Sequence, residues 1–403
     1  MAKTVYVRAR PGRLPSPRLL LLLILGLVAG AGLFMIGNSI FSPAGLHTVS
    51  VGTNPVDVLA DERGGHIFVL NSGYDTAQNP SSLTMLDARS GNVVHTTALG
   101  RASYFMVLDH VTRRLFIADG MVGVVRVIDT RSGAVVGATP AGMGTQLSVD
   151  ERTGRVFGVS GSTNKVLVLD ANDGHVLRTV LLPSPPEGSV ADAPTGRVFV
   201  FCNKFVGRTA FPSVAILDAR NGNILRVVQG LPGGLTAVNS LTGDWYLEGA
   251  AGTLKVMDGR TAATRRTIAS VRPYGTIAVD AARDRLIVVE ADSRNVVTID
   301  SRTGRVLTRA ALAPANGVAD YVAVDNRTGR ILVSGDGQTV VLDARARAVL
   351  RTTATSGVLT VDDRTGHAFV TRAHEGGQVN LGLGPVHLGY GSDAGSVTMI
   401  SAR

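Results

Sequence analysis

The sequence predicts an all-β protein, an eight-bladed β-propeller preceded by one N-terminal transmembrane helix, and three observations carry that expectation. A pattern of short apolar strands and Asp-Gly turns recurs eight times, at intervals of 37 to 48 residues, which is the period of a propeller blade. No segment after residue 36 sustains a helical repeat. The two ends of the array are complementary, so that the first strand can complete the last blade.

The chain begins with a basic stretch, residues 1–18, in which Lys3, Arg8, Arg10, Arg13 and Arg18 stand with no acid among them. Residues 19–36 read LLLLLILGLVAGAGLFMI, close to the ~20 apolar residues that a helix needs to cross a bilayer. Positive charge stays on the cytoplasmic side. The expected topology is therefore single-pass in the plasma membrane, with residues 1–18 cytoplasmic and everything after residue 36 outside. Ala29-Gly30-Ala31 offers small residues for signal cleavage, which is the alternative. The apolar run continues past that point through Leu33-Phe34-Met35-Ile36, and the basic lead is long, which favours a retained anchor. Gly26 and Gly30 form a GxxxG spacing that lets two helices approach, but so Gly- and Ala-rich a segment produces that spacing by chance. Residues 37–46 read as a linker and 47–403 as the propeller.

Within each copy an apolar strand ends in Asp, a turn such as Arg-Thr-Gly-Arg follows, and a second strand leads through a variable loop to a third. The third strand also ends in Asp, followed by a turn such as Arg-Ser-Gly and a last strand. The first Asp column is Asp61, Asp109, Asp150, Asp192, Asp280, Asp325 and Asp362, with Asn239 in fifth place; the second is Asp87, Asp129, Asp170, Asp218, Asp258, Asp300 and Asp343, with Ser401 in eighth. An Asp side chain at such a site bonds the amides of its own turn while Gly takes the positive-φ position. Local capping explains every member, so these columns are not read as metal ligands or catalytic acids. The runs between turns, such as Arg197-Val198-Phe199-Val200-Phe201, are too short for helices and rich in β-formers. The eighth copy, from Val358, stops after its third strand, Ser396 to Ile400. His47-Thr48-Val49-Ser50-Val51-Gly52 matches the fourth strand of the first copy, His95 to Gly100, and can close the ring.

Val51-Gly52-Thr53-Asn54-Pro55-Val56-Asp57-Val58, His66-Ile67-Phe68-Val69-Leu70-Asn71 and Val127-Ile128-Asp129-Thr130-Arg131-Ser132-Gly133-Ala134-Val135-Val136 resemble the repeat of the YVTN family of bacterial β-propellers. The resemblance covers about residues 47 to 403, although the tetrapeptide that names the family is degenerate, Phe68-Val69-Leu70-Asn71 being the nearest copy. It implies a surface or periplasmic propeller, and it makes seven blades the alternative count.

Function in such a ring belongs on the face that carries the loops between second and third strands and between blades. The long loops there are Asn71 to Ser81, Asn203 to Pro212 and the Gly-rich His374 to Ser396. Candidate ligand-binding residues at the channel mouth are Tyr104, Glu187, Tyr274, Asp320 and Tyr321, joined by His374 and His387 of the last loop. No acid, base and nucleophile group together in sequence. The eight histidines show no zinc or haem spacing and no GxSxG occurs, so no catalytic residue, metal or cofactor is assigned.

Cys202 is the single cysteine, which excludes an intrachain disulfide. Without the five basic residues before position 19, 35 basic face 31 acidic residues, and the net charge of +9 falls to +4; nucleic-acid binding gains no support from it. The reading is a membrane-anchored, extracytoplasmic, non-catalytic binding or scaffold module at the bacterial cell surface, with an unknown protein or cell-wall partner. The rivals are a propeller enzyme of lactonase or lyase-like type, and a redox-partner subunit resembling quinoprotein dehydrogenase propellers.

Overall fold

The computed structural model describes residues 45–401 apart from 74–79, 102, 207, 232–234, 240, 250–251, 291–294, 313–318, 336, 373–377, 381–384 and 388–393. The expected span 19–36 lies outside the described residues. Among the described residues no helix is long and apolar enough to cross a membrane.

Residues His47–Arg403 form one compact unit built of eight four-stranded sheets. Blade one runs Pro55–Asp61, His66–Asn71, Ser81–Asp87 and Val93–Gly100 in antiparallel order, and each later blade repeats that order. The first strands of successive blades touch one another around the ring and so line its channel. Each sheet is buried on both faces by its neighbours. This is why the middle strands are continuous apolar runs, as in Arg197–Val206, with Val198, Phe199, Val200 and Phe201 all buried. Fourth strands such as Val176–Leu181 face outward and are mostly exposed.

The eighth sheet has the order Leu359–Asp362, His367–Thr371, Ala394–Ile400 and then Leu46–Thr53. The N-terminal strand thus completes the blade in which the chain ends. Thr48 Oγ1 and Thr398 Oγ1 lie 3.0 Å apart across this closure, and Val49 and Val51 enter the apolar cluster shared with blade one. The ring therefore has eight blades. The fifth is complete despite its weak sequence signal: Asn239 Oδ1 accepts from the amides of Leu241 and Thr242 at 2.9 and 3.2 Å, as Asp does elsewhere.

Both aspartate columns act as turn caps. Asp109 Oδ1 accepts from the amides of Val111 and Thr112, and Asp129 Oδ1 from those of Arg131 and Ser132. Amide donors, chiefly those of Ser90, Thr303 and Ala348, hold Asp87, Asp300 and Asp343 below the usual carboxylate range. The inner column sits deeper, and burial pushes Asp109 and Asp192 up. Gly133 closes its turn at φ 71°, a conformation that favours glycine.

The two turns of a blade bond to each other, as Ala88 N donates to Gly65 O at 3.0 Å and Thr130 N to Arg113 O at 3.2 Å. All these turns therefore lie on one face, and the loops lie on the other. Fourth-strand side chains stitch that turn face from blade to blade: Thr97 Oγ1 donates to Gly133 O, Thr139 Oγ1 to Gly174 O, Arg226 Nη1 to Thr261 O and Thr308 Oγ1 to Arg345 O.

Apolar clusters fill the interfaces between blades, and a solvent-open cleft of about 260 Å³ lies between blades seven and eight, lined by Leu332, Val341, Leu350, Ala368 and Ile400 and by Asp325, Arg330, Arg351 and Ser401.

Candidate functional site

The loop face carries two features that the strands position. The first is a set of β-bulges at the mouth of the channel. In blade two Ser103 pairs with Asp119 and Phe105 with Ala118, leaving Tyr104 as the extra residue. In blade four Pro186 pairs with Cys202 and Gly188 with Phe201, leaving Glu187. In blade seven Ala319 pairs with Gly335 and Tyr321 with Ser334, leaving Asp320. Blades one, five and six shift register at the same place. A bulge bends its strand and re-aims side chains, and such sites concentrate beside functional surfaces.

Three of the expected residues are thus equivalent in structure. Tyr104, Glu187 and Asp320 are half-buried bulge residues of different blades. Tyr274 falls within the irregular segment of blade six, and its side chain is outside the described residues. His374 is outside them as well. His387 is placed by its backbone alone, on the short strand Pro385–His387, which pairs with Gln378–Asn380.

The structure gathers Asp320 and Tyr321 with a residue that the sequence did not single out, Asp57. Its Oδ1 accepts from Val58 N at 2.9 Å, and Met106 N of blade two donates to the carboxylate as well. The carboxyl is half-buried among the inner strands, and its desolvation outweighs both amide donors, pushing it up to about 7. Burial, followed by the negative charges of Asp320 and Asp57, pushes the Tyr321 phenol far above its usual range. The mouth therefore holds an acidic group that exchanges its proton near neutral pH. Folding holds the proton more tightly than the unfolded chain does, so Asp57 costs stability as pH rises from about 4 through 7. Asp57→Asn is expected to stabilise the chain by about 2 kcal/mol at pH ~8 and by under ~1 kcal/mol at pH ~4. Thermal midpoints of both proteins at the two pH values check this.

The second feature corrects an expectation. Residues 203–212, expected to form a loop, instead continue the blade-four hairpin, whose strands Arg197–Val206 and Thr209–Asp218 stay in register out to Val206 opposite Thr209. In blade three the same hairpin ends at Ser160 opposite Lys165. The projecting tip leaves Phe205, Val206 and Phe211 62, 58 and 50% exposed, beside exposed Lys204 and Arg208. Large exposed aromatic side chains mark interaction surfaces. The available sequence signal is the pair of β-forming segments Phe205-Val206 and Thr209-Ala210-Phe211 on either side of a Gly-Arg pair.

Cys202 lies at the base of this hairpin, buried, and burial pushes its thiol up to about 11. That makes it a packing residue rather than a nucleophile. Among the described residues no three His, Cys, Asp or Glu side chains are grouped as a metal would require.

A family model described as outer membrane protein assembly factor BamB matches residues 123–385, more than half of the chain. No curated protein matches the sequence. Among solved structures, BamB from Moraxella catarrhalis aligns with a TM-score of 0.57 at 14% identity, covering 88% of this chain and 98% of that one. The Cps50 (Swd1) β-propeller domain from Myceliophteria thermophila aligns at 0.53 and 11% identity, covering 74% and 99%. At these identities the likeness is one of fold.

Proposed function

This chain belongs to the family described as outer membrane protein assembly factor BamB, and from that premise we propose that it is a non-catalytic scaffold that binds a protein through its loop face. The observation that carries the reading is the extended blade-four hairpin, which presents Phe205, Val206 and Phe211 to solvent. The bulged channel mouth beside it supplies polar groups for orientation. In this reading residues 19–36 anchor the chain in the plasma membrane and the ring stands outside it, supported by the basic leader and the apolar run. The YVTN-type character of the repeats, carried by residues 51–71 and 127–136, is consistent with a surface propeller.

The test is a photo-activated amino acid placed at Phe205, and separately at Ser132 on the turn face, in cells expressing the full chain. A discrete protein adduct at position 205 and not at 132 is the expected result. Adducts equal at both positions, or confined to 132, would contradict the assignment of the binding face.

A further inference from the structure

We infer that the partner of this scaffold docks through an acidic polypeptide segment with apolar anchors, seated in the step between blades three and four of the loop face. This rests on the scaffold reading above and adds to it the place and the chemistry of the contact.

The blade-four hairpin runs past the point where blade three ends. Cys202 opposite Ser213 is the counterpart of Ser160 opposite Lys165, and in blade four the ladder continues from Asn203 opposite Pro212 to Val206 opposite Thr209. At about 3.3 Å per residue those added pairs make a wall about 13 Å high. The two faces of the wall differ. Cys202 packs with Val166, Val168 and Val180 of blade three, whereas Phe201 packs with Trp245 and Leu247 of blade five. Side chains alternate along a strand, and directly paired residues share a face. Lys204 and Val206, with their partners Phe211 and Thr209, therefore form the face over blade three, and Phe205 with Ala210 forms the face over blade five.

The floor of the step is the blade-three turn together with the loop that enters that blade. Ser160 Oγ and Ser162 Oγ donate to Met143 O at 2.9 and 3.1 Å, and Met143 is left 57% exposed. A side-chain carbon at Gly161 would stand 2.9 Å from Pro186 O of blade four, so the turn abuts the base of the wall.

Lys165 at the edge of the floor, Lys204 on the wall and Arg208 at its tip are all exposed, and none of them is ion-paired among the described residues. Glu187, half-buried in its bulge, is the one carboxylate that the described residues of blades three and four bring to this face. Cations beside exposed aromatic and thioether side chains select a ligand that is both acidic and apolar. A soluble polyanion leaves Val206, Phe211 and Met143 in water, and a flat bilayer meets the tip without reaching Lys165 and Met143. An acidic segment with apolar side chains satisfies both, its charges setting register and encounter rate and its apolar groups supplying the buried contact.

The experiment uses cells expressing the full chain with a photo-activated residue at Thr209, on the blade-three face, or at Phe205; adducts are digested and the captured segment is sequenced by mass spectrometry. The expected result is the same protein at both positions, with a segment at Thr209 that holds more acidic than basic residues. Combining Lys165→Glu, Lys204→Glu and Arg208→Glu should weaken the Thr209 adduct at least about tenfold, as three exposed ion pairs turned to repulsion imply, while Arg131→Glu on the turn face should leave it unchanged. If the Glu variant melts early, Gln at the same three positions replaces it, with a loss of at least about threefold. A basic or neutral segment, a lipid or a second copy of this chain at Thr209, no adduct there, or an adduct indifferent to the charge variants, each with the Phe205 adduct still present, would overturn the inference and leave the scaffold reading intact. No protein adduct at either position removes the scaffold reading itself, and the inference with it.

Discussion

Deleting Leu46–Thr53 is expected to destroy the cooperative fold rather than to trim it. The strand is the outer member of the eighth sheet, and its removal strips the backbone partners of Ala394–Ile400 and the apolar contribution of Val49 and Val51 to the cluster with Val58, Ile67 and Phe369. An unpaired edge in the one blade that joins both ends of the ring leaves the circle open. Buried Val51 and half-buried Val49 with their ladder are worth on the order of 5 kcal/mol, comparable to the whole stability of an ordinary domain. Circular dichroism should show a broad transition more than ~10 °C below that of the intact chain. A sharp transition at the original temperature would show that the ring does not depend on this closure.

Trp245→Ala carries the next largest effect, because Trp245 fills the interface between blades four and five. It is fully buried and packs with Phe199, Phe201, Val214 and Met257. Emptying a site of that size costs about 3–5 kcal/mol, which chemical denaturation would register as a large fall in midpoint. Trp245→Phe keeps most of the volume and should lose under ~2 kcal/mol. A loss under ~1 kcal/mol for the alanine variant would mean that the fifth copy does not bear on the ring as its burial implies.

The repeat unit, the capping role of both aspartate columns and the closing strand were legible in the sequence because each is local. Asp129 and its Gly133 turn lie within one hairpin, and the match between residues 47–52 and 95–100 needs only the strand pattern. The fifth blade was legible in spite of Asn239 because Asn offers the same side-chain oxygen to the turn amides.

What escaped the sequence depends on neighbours far away in the chain. Asp57 looks like any polar residue at the start of a strand. Its elevated proton affinity comes from the inner strands that surround it, and Met106 of blade two and Tyr321 of blade seven meet it only once the ring is closed. Asp320 and Tyr321 were recognised as mouth residues, but the bulge that sets Asp320 apart from Tyr321 is a register effect of pairing with Ser334 and Gly335. The blade-four tip resembles a loop in sequence because Lys204, Arg208 and Thr209 interrupt its apolar residues, although the two strands stay paired out to Val206 opposite Thr209. The cleft between blades seven and eight reflects how two sheets meet, which no single segment encodes.

The most direct test of the scaffold reading is the size of the complex that the native chain forms in detergent-solubilised membranes, compared with that of Phe205→Ser/Phe211→Ser. Both side chains are exposed at the hairpin tip, so the double variant should keep its melting temperature. The account predicts that the wild-type chain migrates in an assembly distinctly larger than its own 42.0 kDa plus detergent, and that the double variant migrates alone. A wild-type chain that migrates alone, or a double variant that stays in the same assembly, would contradict it.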